Sequence, residues 1–473
     1  MKPTDHLTHR IDRAPRGRRV AAFFDFDRTL IAGFSAGAFV REWVGSGRAS
    51  AADVAQAAAA AAQFQMGGIG FSDFVTRSMV MLRGLDLPTC EQISESIYRD
   101  ALATAVYPEA RALVESHREH GHTVAIVSSA TRFQIEPVAR DLGIDHVLCT
   151  EVVVEDGRLT GDVVHPTCYG EGKATAGRQF AEERGIDLVE SYFYTDSDED
   201  LPLLEIVGRP RPVNANRRLS AIAARRGWPQ ENFGSRGTPG AVDLLRTSLA
   251  VGSMVPSFLL GAPAALLDAD LREGMNLAAS TWGELGTALA GVRVRVDGEE
   301  HLWSHRPAVF IFNHQSALDT LLVCKLLRRD FVGIGKREIR DYPLLGALFA
   351  LAGTVFIDRL NSTEAVRALE PAVATLSEGT SIVIAPEGTR SLTPRLGKFK
   401  KGAFHLAMQA GVPIVPVVFH NALDALPKHA LVVRPATVDV TVLEPIATDG
   451  WTRESLDDRI AEVHARFRET LGQ

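Results

Sequence analysis

Short apolar runs that stop at an acidic or hydroxyl-bearing residue recur along this chain, with helix-like stretches between them. Val20–Phe24 runs into Asp25, Thr123–Val127 into Ser128, and Ser191–Thr195 into Asp196. Farther on, Val309–Phe312, Phe331–Ile334, Thr354–Ile357, Ser381–Ala385 and Ile414–Val418 form a second series. Continuous apolar runs of this length suit strands buried on both faces, and strands alternating with helices make parallel α/β sheets. Two such series in 473 residues, parted by the loop-like stretch 228–240, predict two α/β domains.

The segments between the runs fill in the plan. Residues 34–105 are Ala-rich with helical period and read as a helical insert in the first domain. Val152–Val154 and Leu159–Val164, joined by Glu155-Asp156-Gly157-Arg158, read as a hairpin. In the second series Ala317–Arg328, Leu344–Ala352, Thr363–Ser377 and Ala403–Ala410 read as helices. No internal repeat links the halves. A net charge of −7, with 46% hydrophobic and 23% charged residues, describes a globular chain and gives no case for nucleic-acid binding. The local exception is a basic tail, residues 1–18, whose arginines are either simply solvated or a weak contact for anionic lipid. Cys90, Cys149, Cys168 and Cys324 lack metal or disulfide spacing, which fits a reducing cytosol. No apolar stretch of signal-peptide length precedes Asp25, so no signal peptide is expected.

Thr247 to Leu267 carries no charge, although Gly252, Pro256, Gly261 and Pro263 interrupt it, and a second apolar stretch, Met275–Val292, follows. The length is enough to span a bilayer, but Pro disfavours a straight helix. A helical hairpin dipping into one leaflet, over 247–291, is the favoured expectation. A soluble core element and a true span are the alternatives.

Two groups of residues carry chemistry. Asp25-Phe26-Asp27-Arg28-Thr29 puts two carboxylates at a strand end, one suited to attack phosphorus and one to move the leaving-group proton. Ser128, Lys173 and the acids Asp196 and Asp200 follow in order, offering a hydroxyl donor, a cation and hard oxygen ligands for Mg2+. This set resembles the haloacid dehalogenase-like phosphatases, in the phosphoserine phosphatase-like branch, over roughly residues 19–228. The resemblance implies a Rossmann-like domain with a helical cap at about 34–105. It also implies Asp25 as nucleophile forming an aspartyl-phosphate, Asp27 as general acid/base, and Ser128 and Lys173 on the phosphoryl group. Mg2+ would sit on Asp25, the Asp27 carbonyl and Asp196, with Asp200 supporting. Phosphoserine phosphatases place an acid just after the first motif; Ile31-Ala32-Gly33-Phe34-Ser35 has none, which leans away from serine phosphate toward a lipid-derived substrate.

The second group begins with His314 and Asp319, in Asn313-His314-Gln315-Ser316-Ala317-Leu318-Asp319, a base and an acid able to orient it. Pro386-Glu387-Gly388-Thr389-Arg390, Lys336 and Arg359 add cations at strand ends. These blocks, with Val412-Pro413-Ile414-Val415-Pro416-Val417, resemble glycerophospholipid acyltransferases of the 1-acylglycerol-3-phosphate type over roughly 290–445. The resemblance implies an acyl-CoA or acyl-carrier-protein donor, lysophosphatidate as acceptor and phosphatidate as product. His314 would be the base and Asp319 its partner. Glu387, Gly388, Thr389 and Arg390 would help bind the acceptor, with Lys336 and Arg359 on its phosphate. It also implies a membrane-docking helical pair, matching 247–291.

The expected plan is therefore a basic tail at 1–18, a phosphatase domain at 19–228, a linker at 229–246, the membrane hairpin at 247–291 and an acyltransferase domain at 292–473. Together these make a bifunctional phospholipid-biosynthesis enzyme, peripheral or monotopic on the cytoplasmic membrane face. Hydrolysis of a soluble metabolite phosphate, or a regulatory binding role for the first domain, stays open, as do oligomeric state, acyl-chain length and channelling between the sites.

Overall fold

The computed structural model describes residues 5–9, 11, 15–47, 51–66, 68–267, 271–342, 345–357 and 370–473. The chain divides into two units, Met1–Thr238 and Pro239–Gln473.

The first unit is built on five parallel strands in the order β3-β2-β1-β6-β7. β1 is Ala21–Phe24, β2 Thr123–Thr131, β3 His146–Thr150, β6 Tyr192–Thr195 and β7 Arg209–Pro212. Every residue of β1 is buried, as a strand covered on both faces requires. One face packs Phe24 and Ile126 with Leu113, Ile135 and Val138; the other packs Phe23 and Val127 with Phe180, Leu203 and Leu219. The hairpin is present as β4 (Val152–Glu155) and β5 (Arg158–Val163). Its turn residues, Asp156 and Gly157, both have positive φ, the twist that a two-residue hairpin needs.

Helices Ser35–Gly45, Ala51–Gln65, Phe71–Met79 and Leu87–Ile97 form the insert. It leaves and rejoins the sheet side by side, because Ala32 N–H donates to the Ala105 carbonyl and Tyr107 N–H to that of Leu30. The hairpin docks on it as well, with Leu159 and Gly84–Leu85 exchanging backbone bonds. β7 escaped sequence reading because Arg-Pro-Arg-Pro looks like a strand breaker; it lies at the sheet edge, where Pro is tolerated.

The second unit holds seven strands in the order β11-β10-β12-β9-β13-β14-β8. These are β8 Val292–Asp297, β9 Val309–Phe312, β10 Phe331–Lys336, β11 Val355–Ile357, β12 Ser381–Ile384, β13 Ile414–Phe419 and β14 Ala436–Val442. Neighbours are parallel except β13 with β14. β8 and β14 alternate polar and apolar residues instead of forming apolar runs, as suits the half-covered end of a sheet.

The expected hairpin at 247–291 is larger than its sequence signal. Its first arm begins at Ala241, inside the stretch expected to be linker, and runs as Ala241–Gly252 and Met254–Leu267. Pro256 falls in the first turn of the second piece, where its missing N–H costs nothing. The second arm is Leu271–Ala290. Ala241–Pro263, 23 residues, is long and apolar enough to cross a membrane. Of the helix expected at 363–377, Glu370–Ser377 is described.

Candidate active sites

In the first unit the chain turns sharply after β1, where Arg28 takes a positive φ. Asp25 N–H donates to the Tyr194 carbonyl at 2.9 Å, tying the nucleophile candidate to β6, which leads into Asp196. Lys173 arrives on the first turn of the helix Glu171–Arg184. The approach needs Gly172, since a Cβ there would lie 2.0 Å from the Thr167 carbonyl oxygen. Lys173 Nζ then donates to Asp25 Oδ1 at 2.7 Å and Asp200 Oδ2 at 2.8 Å, while Thr195 Oγ1 donates to Asp200 Oδ2 at 2.5 Å. Burial pulls the Lys173 pKa down, but the Asp200 and Asp25 carboxylates more than offset it and hold the ammonium charged.

Asp27 Oδ1 accepts from Ser35 N at 2.7 Å, and Gln134 Nε2 donates to Ser35 Oγ at 3.0 Å. Burial raises the Asp27 pKa, the direction that suits a general-acid candidate. Ser128 is buried, but it does not end β2; regular pairing with β3 is disturbed just beyond it, and its Oγ accepts from Ala130 N at 3.2 Å.

Sequence reading missed Arg28, whose Nη1 lies 3.2 Å from Asp196 Oδ2. It also missed Asn216, whose side chain donates to Asp198 Oδ1 at 2.8 Å and whose backbone N–H donates to the Asp196 carbonyl at 2.8 Å. Neither residue type marks a site by itself. Asp196 is pushed up to about 7 by burial and by the Asp25 carboxylate beside it. Among the described residues no three acidic, His or Cys side chains close a metal cage. The set expected to hold Mg2+, the Asp25 and Asp196 carboxylates with the Asp27 carbonyl, is made of hard oxygens, and both of those acids are buried, a chemistry that fits the ion.

In the second unit β10, β12, β9 and β13 are adjacent and parallel, so the residues that follow them gather at one edge. His314 Nδ1 and Asp319 Oδ2 are 2.8 Å apart, and the same oxygen accepts from Gln315 N at 2.8 Å and Ser316 N at 2.9 Å. Asp319 is fully buried at the start of the helix Asp319–Leu327. Burial raises its pKa; the His314 hydrogen bond opposes that. Asn313 exchanges two bonds with Phe419 of β13, and Gln315 Nε2 donates to the Phe419 carbonyl, fixing the His-bearing loop.

Glu387, expected to help bind the acceptor, is bonded within the protein: its Oε1 accepts from His314 N at 2.7 Å, and its Oε2 from Gly397 N at 2.8 Å and Ser391 Oγ at 3.2 Å. Both oxygens brace the protein's own loops. Gly388 has a positive φ, and a Cβ there would meet Lys400 at 2.9 Å, so the glycine lets the Lys400 side chain lie across it. Lys336 closes β10 and Thr389 and Arg390 follow β12. Arg359 lies outside the described residues. A cation missed from sequence, Lys428, follows β13: burial lowers its pKa, and the positive charges of Arg390 and Lys336 lower it further. No motif surrounds it.

Residues 22–205 match the haloacid dehalogenase-like hydrolase family model, and 293–420 the acyltransferase model. A 1-acyl-sn-glycerol-3-phosphate acyltransferase of Limnanthes douglasii is 38% identical over 190 residues, 40% of this chain and 67% of the relative. A Mycobacterium tuberculosis protein named "Probable phosphatase" is 37% identical over 223 residues, 46% of this chain and 77% of the relative. The chain belongs to both families. Its haloacid dehalogenase-like unit and its acyltransferase unit make it a two-domain enzyme with a hydrolase and a transferase half. Among solved structures, the 1-acyl-sn-glycerophosphate acyltransferase of Thermotoga maritima is 25% identical with a TM-score of 0.43, covering 49% of this chain and 95% of that one.

Proposed function

We propose that the acyltransferase unit moves an acyl group from a thioester donor to 1-acylglycerol 3-phosphate, giving phosphatidate. We propose further that the hydrolase unit cleaves a phosphate monoester of the same lipid pathway. The observation that supports this reading is that each unit has its own cluster of expected site residues: Lys173 between Asp25 and Asp200 in one, His314 on Asp319 in the other.

In acyl transfer Asp319 fixes the His314 proton on Nδ1, leaving Nε2 to accept the acceptor's hydroxyl proton. The hydroxyl oxygen attacks the thioester carbonyl carbon. The tetrahedral adduct then expels the thiolate, which takes the proton back from the imidazolium. Lys336, Arg390 and Lys428 hold the acceptor's phosphate.

In hydrolysis a carboxylate oxygen of Asp25 attacks phosphorus, and the leaving alkoxide takes a proton from Asp27. Asp27 then draws a proton from the water that releases phosphate from the aspartyl-phosphate. Lys173 offsets charge on Asp25 throughout. Mg2+ held by Asp25, the Asp27 carbonyl and Asp196, with Asp200 behind, would supply positive charge to the phosphoryl oxygens. The cap entry supports a lipid-like leaving group: Phe34 is 66% exposed, with the Arg28 guanidinium over its ring.

The apolar first arm supports a seat on a lipid surface, with Leu244, Leu245, Leu249, Val251, Leu259 and Leu260 all exposed. Asp25→Asn in the full chain is expected to abolish phosphate release and keep acyl transfer. His314→Ala should lower acyl transfer by about 100-fold or more and keep phosphate release. Loss of both activities from either change would contradict two independent sites.

A further inference from the structure

Ser35 opens the first helix of the insert, Ser35–Gly45, and is completely buried. The start of that helix has no cap of its own: Phe34 offers no side-chain oxygen, and no acid stands in the first turn. Helix starts leave backbone N–H groups in need of partners. The Ser35 N–H finds one earlier in the chain, donating to Asp27 Oδ1 at 2.7 Å. The loop between them folds back on itself, with Arg28 N–H donating to the Gly33 carbonyl at 3.1 Å.

Behind Ser35 stands Gln134, on the helix Arg132–Leu142. Thr131, at the end of β2, donates to Gln134 Oε1 from its backbone N–H at 2.9 Å and from its Oγ1 at 3.0 Å. An N–H can only donate, so the amide oxygen must face Thr131 and the amide NH2 must face Ser35. Nε2 accordingly donates to Ser35 Oγ at 3.0 Å. A hydroxyl that accepts there keeps its hydrogen for another partner, and the Ser35 hydroxyl bonds the Asp27 carboxylate. The relay therefore has one direction: Thr131 to Gln134, Gln134 to Ser35, Ser35 to Asp27. Its three donors are all buried, where such a network is strengthened by the low local dielectric.

A proton donor has to be aimed. The carboxyl oxygen that receives an N–H acts as the carbonyl oxygen of the neutral acid, so holding Oδ1 puts the proton of Asp27 on Oδ2. As Asp25 bonds to phosphorus and the bond to the leaving oxygen breaks, that oxygen takes the Asp27 proton. A badly aimed donor slows the step in proportion to how much the leaving oxygen needs the proton. We propose that Ser35 is a positioning residue for Asp27, oriented in turn by Gln134, so that the residue opening the insert aims the proton donor. This rests on the reading of Asp27 as proton donor in phosphate release.

The test compares two substrates within each variant of the full chain, assayed with Mg2+. p-Nitrophenyl phosphate releases a stable anion that needs little protonation, and phenyl phosphate releases a more basic one. Ser35→Ala removes the hydroxyl and should lower kcat/KM for phenyl phosphate about tenfold more than for p-nitrophenyl phosphate, part of what a general acid contributes. Ser35→Pro removes the N–H as well. Proline suits the first position of a helix, and Phe34 already has the extended backbone that precedes proline, with φ −111° and ψ 125°. The helix should persist and the gap between substrates should widen further. Ser35→Thr keeps both donors and should keep the wild-type ratio of the two rates. Gln134→Met leaves Ser35 in place without its orienting donor and should shift the ratio in the same sense as Ser35→Ala. A partly unfolded sample scales both rates alike and cannot mimic these changes. An unchanged ratio in Ser35→Ala and Ser35→Pro would overturn the assignment, since a purely structural serine would slow both substrates equally. An unchanged ratio in Gln134→Met would remove Gln134 from the relay. Absence of phosphate release from both substrates in the wild type would instead remove the reading of Asp27 on which the assignment rests.

Discussion

Lys173 stands 148 residues beyond Asp25 in sequence, yet its ammonium is 2.7 Å from that carboxylate. Its residue type and its place after a glycine pair were legible in the chain; the bond to Asp25 exists because β1 and the following helix meet at one sheet edge. Lys428 was not legible, because a lysine after a proline carries no signal until β13 is set beside β9. A buried histidine group makes the same point and carries a pH prediction. His117 Nδ1 bonds His122 Nδ1 at 2.8 Å, and its Nε2 bonds Tyr194 Oη at 2.9 Å. Burial, then the neighbouring His122, His120 and Arg211, drive its pKa well below 6.5. The unfolded chain therefore takes up a proton near pH 6.5 that the folded one refuses. The stability from His117 is full above that pH and falls as pH drops, by up to about 1.4 kcal/mol per unit. The raised carboxyls of Asp27 and Asp196 act with the opposite sign, so a difference is the right measurement. Between pH 7.5 and 5.5, hydrogen-exchange protection factors in 108–127, corrected for the intrinsic rate at each pH, should fall more in wild type than in His117→Phe. Equal changes would rule out the ring as the source.

At the level of elements, the parallel strands were readable because burial on both faces leaves uninterrupted apolar runs. β7 and β8, each at a sheet edge, were not. β7 hides behind two prolines, and β8 carries arginine at alternate positions because one side meets solvent. The second arm of the hairpin shows how far an element's role exceeds its composition. Leu271–Ala290 reads as apolar, but its glycines seat it on the helix that begins with Asp319. A Cβ on Gly283 would lie 2.3 Å from Lys325 N, and one on Gly286 2.7 Å from Leu321 Cδ1. Backbone cannot yield as a side-chain end can, so Gly283→Ala should cost about 1–3 kcal/mol despite the better helix propensity of alanine. Acyl transfer should fall with it as Asp319 shifts. Gly252→Ala, with nothing within 4 Å of the new Cβ, should be neutral or slightly stabilising. Chemical denaturation of the two variants decides the matter; matching midpoints would exclude this packing.

At the level of the molecule, two compact units each carry their own sheet, core and site. The proposed lipid seat belongs to the second, and it cannot be cut away cleanly, because deleting 247–291 also removes the arm packed on the Asp319 helix. Point charges are the better probe: Leu259→Asp with Leu260→Asp should sharply reduce co-sedimentation with phospholipid vesicles while both activities on soluble substrate analogues persist. Undiminished vesicle binding would place the contact elsewhere. The sequence by itself determined the number of domains, the strand-and-helix alternation and most of the candidate site residues, since these follow from local periodicity and short-range spacing. Only the tertiary structure decided that Lys173 reaches Asp25, that Glu387 braces loops, that Arg28 pairs with Asp196, and which apolar helix faces stay uncovered. Those are matters of distance between residues far apart in the chain, which no local pattern encodes.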